Sequence, residues 1–207
     1  VGDQVEIIDG EGNLWPATIL HIDDVVTVRV ADTSLAAPAP LDVRLAVGLA
    51  EFGRLDTLVE KATELGIPQI TFFASERARR VPDAAAFASR RERMLRVCDA
   101  AARQAGHGRT PVIDGLVTFA QVVAQAGVGS VLVDPRADVG LAEVIRRGAR
   151  ADVQLIVGPD AGFAAVEIAA AQAAGVALAC LGEGMLRTET AAIVAATVAA
   201  TALGHFD

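Results

Sequence analysis

Tyrosine is absent from this chain of 207 residues, tryptophan occurs once, and aromatic residues make up 4% of the whole. That scarcity argues against a nucleic-acid platform of stacked aromatics, of the RRM or OB kind. Cysteine occurs twice, as Cys98 and Cys180, with no C-x-x-C pattern and no cluster with histidine. Two such residues make no disulfide framework, and both read as core thiols in a reducing compartment. His21, His107 and His205 are scattered, so no zinc spacing exists and no metal is expected. Long apolar runs are missing too. The longest nearly uncharged stretch, Thr190 to Gly204, is alanine-rich and falls short of the ~20 residues of a membrane span, so no membrane partner is expected. No signal-peptide pattern is visible, although the chain opens on Val1 rather than Met. The expected location is the cytoplasm.

Hydrophobic residues supply 53% of the chain and charged residues 21%, which excludes a disordered chain and allows a core of useful size. The length fits one ordinary domain, or one with a small appendage. The net charge is −8, yet it is unevenly spread. Lys61 is the single lysine; every other base is arginine. Between Arg77 and Arg109, nine arginines against three acids leave the segment at +6 and the remainder of the chain at −14. Such a strip is either a directed polyanion site or a solvated helix face paired with acids elsewhere.

Residues 5–9, 14–22 and 25–30 are rich in β-branched residues and separated by turn clusters, which predicts an antiparallel meander. Three strands are too few to close a barrel, so residues are missing upstream or the piece packs on something else. Residues 31–40, small, polar and proline-bearing, read as a linker. Beyond it the pattern alternates. Strands are predicted at 41–50, 69–74, within 111–116, and at 130–134, 152–158 and 176–181. Helices are predicted at about 55–65, 83–104, 119–126, 139–147, 164–174 and 188–203. This alternation implies a largely parallel α/β sheet. The last helix has hardly any polar face, which buries it either in the intrachain core or in a dimer contact.

Ligands of parallel α/β sheets sit beyond the carboxyl ends of strands. Three loops there stand out: residues 134–138 (DPRAD), 158–163 (GPDAGF) and 181–190 (LGEGMLRTET). Gly158, Gly162, Gly182 and Gly184 let backbone approach a ligand, and Thr188 is placed to cap the last helix. Tight turns alone are the competing explanation. Lys61 and Glu64, three apart on a helix, read as a surface pair.

The string LGEGMLRTETAA (181–192) resembles the L-G-P-R-x-L-R-T-E-T-A signature of the RsmE-type ribosomal RNA uracil-N3 methyltransferase family, within the SPOUT superfamily. VGPDAGF (157–163) resembles that family's I-G-P-E-G-G-F/L loop. EKATELGIPQITFFASERA (60–78) and AARQAGHGRTPVI (101–113) are similar to two further family segments, in order. Residues 1–19 fit its PUA-like N-terminal barrel.

The resemblance implies a SPOUT trefoil-knotted α/β methyltransferase domain over 41–207, with an N-terminally incomplete PUA-like β-barrel over 1–36. It implies a homodimer that binds S-adenosyl-L-methionine and methylates N3 of a uridine in 16S RNA, free or in the assembled small subunit. Asp134, Gly158, Pro159, Asp160, Gly162, Leu181, Gly182, Met185, Leu186 and Thr188 would then hold the cofactor. Arg187, as phosphate holder or loop-shaping group, and Glu189, as proton acceptor or structural cap, would be the catalytic residues. For Arg187, a salt bridge to Glu189 or another acid is the bland alternative. Arg77, Arg79, Arg80, Gln104 and Arg109 would contact RNA. The chain departs from the family at Asp160-Ala161, at Glu183-Gly184, at Ala164 in a helix-capping place and at Arg103 in the arginine-rich helix. These departures keep two alternatives open: a non-catalytic RNA-binding or ribosome-assembly protein of the same fold, or a SPOUT enzyme acting on another RNA position.

Overall fold

The computed structural model describes residues 1–36, 39–78, 80–148 and 152–206. The first strands are β1 (Gln4–Ile8), β2 (Asn13–Ile22), β3 (Val26–Val30) and β4 (Leu35–Ala36). They form an antiparallel sheet in the order β1-β2-β3, with β4 also on β2. The stretch expected to be a plain linker therefore contributes a strand, because Leu35 and Ala36 pair with Leu14 and Asn13. The β1–β2 turn is organised by Asp9, whose carboxylate accepts from the Glu11 and Asn13 amides and the Asn13 side chain. These donors hold its carboxyl at about 2. The same turn docks on the connection after the arginine-rich helix. There the Gly12 amide donates to the Gly108 carbonyl at 2.9 Å, and the Arg109 guanidinium lies where a Gly12 Cβ would be.

The rest alternates: β5 (Val43–Gly48), α1 (Phe52–Glu64), β6 (Gln69–Ala74), α2 (Ala84–Ala105), β7 (Val112–Thr118), α3 (Phe119–Ala124), β8 (Ser130–Val133), α4 (Leu141–Gly148), β9 (Val153–Val157), α5 (Ala165–Ala173), β10 (Ala177–Ala179) and α6 (Thr188–Ala202). Local chemistry explains the boundaries. Leu55, Leu58, Val59 and Ala62 make a buried stripe on α1, and Gly66 follows it in the left-handed conformation. Asp83 caps α2 by accepting from the Ala86 amide, and Gly106 ends it with positive φ. Thr118 and Gln121 form a reciprocal cap on α3.

The six strands form one all-parallel sheet in the order β10-β8-β9-β5-β6-β7. Side chains of α1, α2, α4 and α6 fill the core on one face. On the other face α3 and α5 cover a core centred on Phe73, Phe119 and Phe163, with ring centroids 5.5–6.3 Å apart. The chain order reverses between β5 and β9, which is the switch point where such sheets bind ligands.

The last helix belongs to the intrachain core on one side. Ala192, Ala195, Ala196, Ala199 and Ala200 are fully buried, while Ile193 and Val194 are only half-buried. Small residues let α6 approach β5, β9, α1 and α4 closely. Of the two cysteines, Cys98 is buried, and desolvation raises its thiol pKa; Cys180 is half-buried, so only Cys98 meets the expectation of a core thiol.

One glycine fixes the geometry at the switch point. A Cβ on buried Gly48, the last residue of β5, would lie 2.6 Å from both N and Cδ of Pro159. Gly48→Ala therefore lowers stability by about 2 kcal/mol, as overpacking of a rigid backbone does. Urea unfolding checks this; an unchanged midpoint contradicts the close approach.

Candidate active site

The loops following β8, β9 and β10 converge on one cavity of about 320 Å³. Its walls include Val133, Val157, Leu181 and Leu186, together with the backbone of the glycine-bearing loops. That size and mostly apolar lining, with a few polar groups, suit a small-molecule site. All ten residues expected to hold a cofactor line it: Asp134, Gly158, Pro159, Asp160, Gly162, Leu181, Gly182, Met185, Leu186 and Thr188. Glu183, which departs from the family in charge, is exposed and is not among the lining residues.

The 158–163 loop is pinned at both ends. Phe163 is 1% exposed and stacks on Phe73. Its ring lies 3.0 Å from where a Gly158 Cβ would be, so that glycine makes room for Phe163. Gly162 has φ +68 and nothing near its absent Cβ, so its freedom serves the turn itself. Ala164 precedes α5 and offers no capping side chain. Glu167, three residues on and 5% exposed, accepts from the Ala164 amide at 2.8 Å. The same carboxylate accepts from Ser75 Oγ at 3.0 Å and the Glu76 amide at 2.9 Å, joining the end of β6 to this loop. Arg77 adds a hydrogen bond to the Ala161 carbonyl at 3.2 Å.

Thr188 does not cap α6, contrary to expectation. It is the first helical residue; Arg187 precedes it and makes no side-chain cap. The capping acceptor comes from 28 residues upstream: Asp160 Oδ1 lies 3.2 Å from both the Thr188 amide and its hydroxyl. The hydroxyl proton is shared with the Gly158 carbonyl at 3.1 Å. A carboxylate at a helix start meets free N–H groups and the positive dipole end. The second Asp160 oxygen receives Arg54 at 2.7 Å.

Asp134 is 3% exposed and accepts from the Arg136 amide at 2.9 Å and from its guanidinium through both oxygens at 2.8 Å. The Arg136 side chain holds the Asp134 carboxyl below its usual value of 3.8, against the desolvation that raises it.

The two expected catalytic residues separate. Arg187 is exposed and has no ion pair among the described residues, so it is not bridged to Glu189. It lines a second cavity of about 690 Å³, with Arg54, Arg77, Arg80 and Phe52, across the wall made by Pro159–Ala161 and Met185–Leu186. Glu189 lines neither cavity. Its Oε1 is 3.9 Å from Arg54 Nε, and its Oε2 is buried with no hydrogen-bond partner among the described residues.

The expected RNA contacts are also dispersed. Arg77 and Arg80 line the second cavity. Gln104 sits in a groove with Lys61, Glu64 and Arg96, and Arg109 meets the N-terminal sheet at Gly12. Arg79 lies outside the described residues. Much of the arginine strip is internally paired: Arg90 and Arg93 share Asp56, Arg90 also donates to the Phe52 carbonyl and lies over its ring, and Arg91 donates to the Ile113 carbonyl. Lys61 does pair with Glu64, at 2.8 Å, and with Glu60.

Three residues of the site were not foreseen. Arg136 had a local signal, the Asp-x-Arg spacing of 134–136. Glu167 had another, its position in the first turn of α5. Arg54 had none, since its partner lies 106 residues away.

The Asp134–Arg136 pair makes stability depend on pH. A depressed carboxyl contributes stability that is present above about 3.8 and is lost as pH falls through its lower folded value. Arg136→Gln is therefore less stable than the wild type at about pH 7, and the gap closes as the pH falls through the lowered Asp134 value. Urea midpoints across that range test this; a gap of constant size contradicts it.

A family model described as the RNA methyltransferase domain matches residues 37–200. The ribosomal RNA small subunit methyltransferase E of Mycobacterium bovis is 28% identical over 198 residues, covering 91% of this chain and 74% of that protein. A Legionella pneumophila protein assigned as a methyltransferase, solved with bound S-adenosylmethionine, is 29% identical with a TM-score of 0.87 over 97% of this chain and 84% of that one. The ribosomal RNA small subunit methyltransferase E of Neisseria gonorrhoeae, solved with S-adenosylmethionine, shares the fold at 22% identity and a TM-score of 0.82, over 97% of this chain and 83% of that one. With the matched domain spanning most of its length, as the C-terminal signature implied, this chain belongs to the RNA methyltransferase domain family.

Proposed function

We propose that this protein methylates N3 of a uridine in 16S ribosomal RNA of the small subunit, using S-adenosyl-L-methionine. One observation carries the reading: three loops distant in sequence bring all ten expected cofactor residues to one cavity. The residues present suit that cofactor. Apolar walls at Val133, Val157 and Leu186 accommodate an adenosyl group. Space stands open at the absent Cβ atoms of Gly182 and Gly184, where backbone groups approach a ligand. When bound, the cofactor supplies an electrophilic methyl on a sulfonium.

The chain's own residues supply placement. The uridine N3 proton has to leave; Glu189 lines neither cavity, so of its two expected parts this reading gives it the structural one, beside Arg54. Arg77, Arg80 and Arg187 bring positive charge to the larger cavity, which adjoins the cofactor cavity and takes the RNA. Gln104 and Arg109, with Arg79 beside Arg80 in sequence, extend the RNA contact. Free RNA and the assembled small subunit are both substrates of the right chemistry.

The finer architecture follows the same reading. Residues 1–36 form a PUA-like domain and residues 41–207 a SPOUT domain. The C-terminal segment is threaded as a trefoil knot, supported by the lie of 181–188 against 158–160. The protein is a homodimer, supported by the half-buried Ile193 and Val194 on the outer side of α6, and works in the cytoplasm.

Mass-mapping of nucleosides tests the reaction: small-subunit RNA incubated with protein and cofactor yields N3-methyluridine. No methylated nucleoside would reject the reading in favour of a binding protein, and a different product would favour another RNA position. The RNA affinity falls steeply with salt, and Arg80→Gln lowers the logarithmic salt slope by about one. An affinity flat across salt would reject the arginine contacts.

A further inference from the structure

Arg54 stands on the first turn of α1, on the far side of the wall from the cofactor cavity. It lines the larger cavity and does not line the smaller. Its guanidinium meets three carboxylates: Asp160 at 2.7 Å, Glu51 at 3.5 Å and Glu189 at 3.9 Å. The Asp160 contact is the shortest and the best formed as a hydrogen bond.

Asp160 is the hinge of the wall. One oxygen holds the start of α6 through the amide and hydroxyl of Thr188, and the other holds Arg54. Without the guanidinium, a carboxylate that is partly exposed gains its second partner from water and is free to turn away. The α6 start would then lose its only carboxylate acceptor among the described residues, and the 158–160 loop would lose one tie to Thr188. Both Asp160 and Thr188 line the cofactor cavity. A charge outside the cavity thus sets the shape of its inside.

We propose that Arg54 is a positioning residue of the methyltransferase site: it acts through Asp160 to keep the 158–160 loop and the α6 start in cofactor-binding register. The inference rests on the proposed use of S-adenosylmethionine. Its chemistry is that of a cation fixing a helix-capping carboxylate, with no contact to the cofactor itself.

The test is calorimetry with S-adenosylmethionine, joined to steady-state kinetics, on wild type, Arg54→Gln, Arg54→Lys, Asp160→Asn and the Arg54→Gln/Asp160→Asn double variant. Wild type that neither binds the cofactor nor methylates RNA rejects the proposed function before any variant is considered. Given binding by wild type, Arg54→Gln raises the cofactor Kd about tenfold, and Arg54→Lys restores most of it. The effects of Arg54→Gln and Asp160→Asn are non-additive, because one acts through the other. The KM for RNA changes by less than the cofactor Kd does, because the Arg54 charge is already met by three carboxylates. Two results overturn the proposal: an Arg54→Gln variant that binds cofactor as wild type does while its KM for RNA rises, which makes Arg54 an RNA contact, or fully additive effects of the two substitutions. A thermal melt of each variant separates these from unfolding. Should Arg54→Gln melt early, Arg54→Lys and Asp160→Asn carry the comparison, and equal cofactor affinity in both and in wild type overturns it.

Discussion

A single shared acceptor, the Asp160 carboxylate, ties the loop after β9 to the start of α6. The rest of the site depends on that tie. Helix α6 begins with N–H groups that have no partner within the helix, and its own preceding residue, Arg187, supplies no side-chain acceptor for them. A carboxylate from a distant loop fills the need, so helix capping and loop closure become one interaction. Thr188 reinforces it by reaching the Gly158 carbonyl. The loop is held elsewhere by Phe163 in the aromatic core, by Pro159 against Gly48 and by Glu167 at its exit. A cavity walled by backbone thus acquires a defined shape without a rigid element of its own.

The distribution of charge follows a similar logic. Nine arginines in one stretch suggested a continuous basic surface. Several are held by internal acceptors instead: Asp56 takes two, backbone carbonyls of Ile113 and Ala161 take others, and Arg109 is enlisted at the contact with the N-terminal sheet. Arg80 and Arg187, without ion pairs among the described residues, are left facing the larger cavity. On the proposed reading, a polyanion would meet a few free guanidinium groups beside the smaller cavity, which favours register over general stickiness.

Much of the fold was legible because its causes are local. The stripe of α1, the Asp83 cap, the glycines that end α1 and α2 and the apolar runs of β8 and β9 all act within a few residues. Strand β4 escaped, since two residues carry no period and the pairing comes from β2. The smaller cavity was legible for a different reason: its lining residues lie in contiguous loop motifs that carry the family resemblance. What stayed hidden is long-range pairing. Nothing near Arg54 or Asp56 in sequence names Asp160 or Arg90 as the partner. Thr188 looked like a cap because its residue type favours caps; a better placed acceptor won the position, and the threonine moved one step into the helix.

Hydrogen exchange with and without S-adenosylmethionine reads the tie between the two loops segment by segment. The amides of 158–163 and 181–188 belong to the two loops that meet at Asp160. With the loops tied at Asp160, the cofactor slows exchange in both segments together and leaves the N-terminal sheet unchanged. Protection confined to one segment, or to neither, would contradict a cavity formed jointly by the two loops.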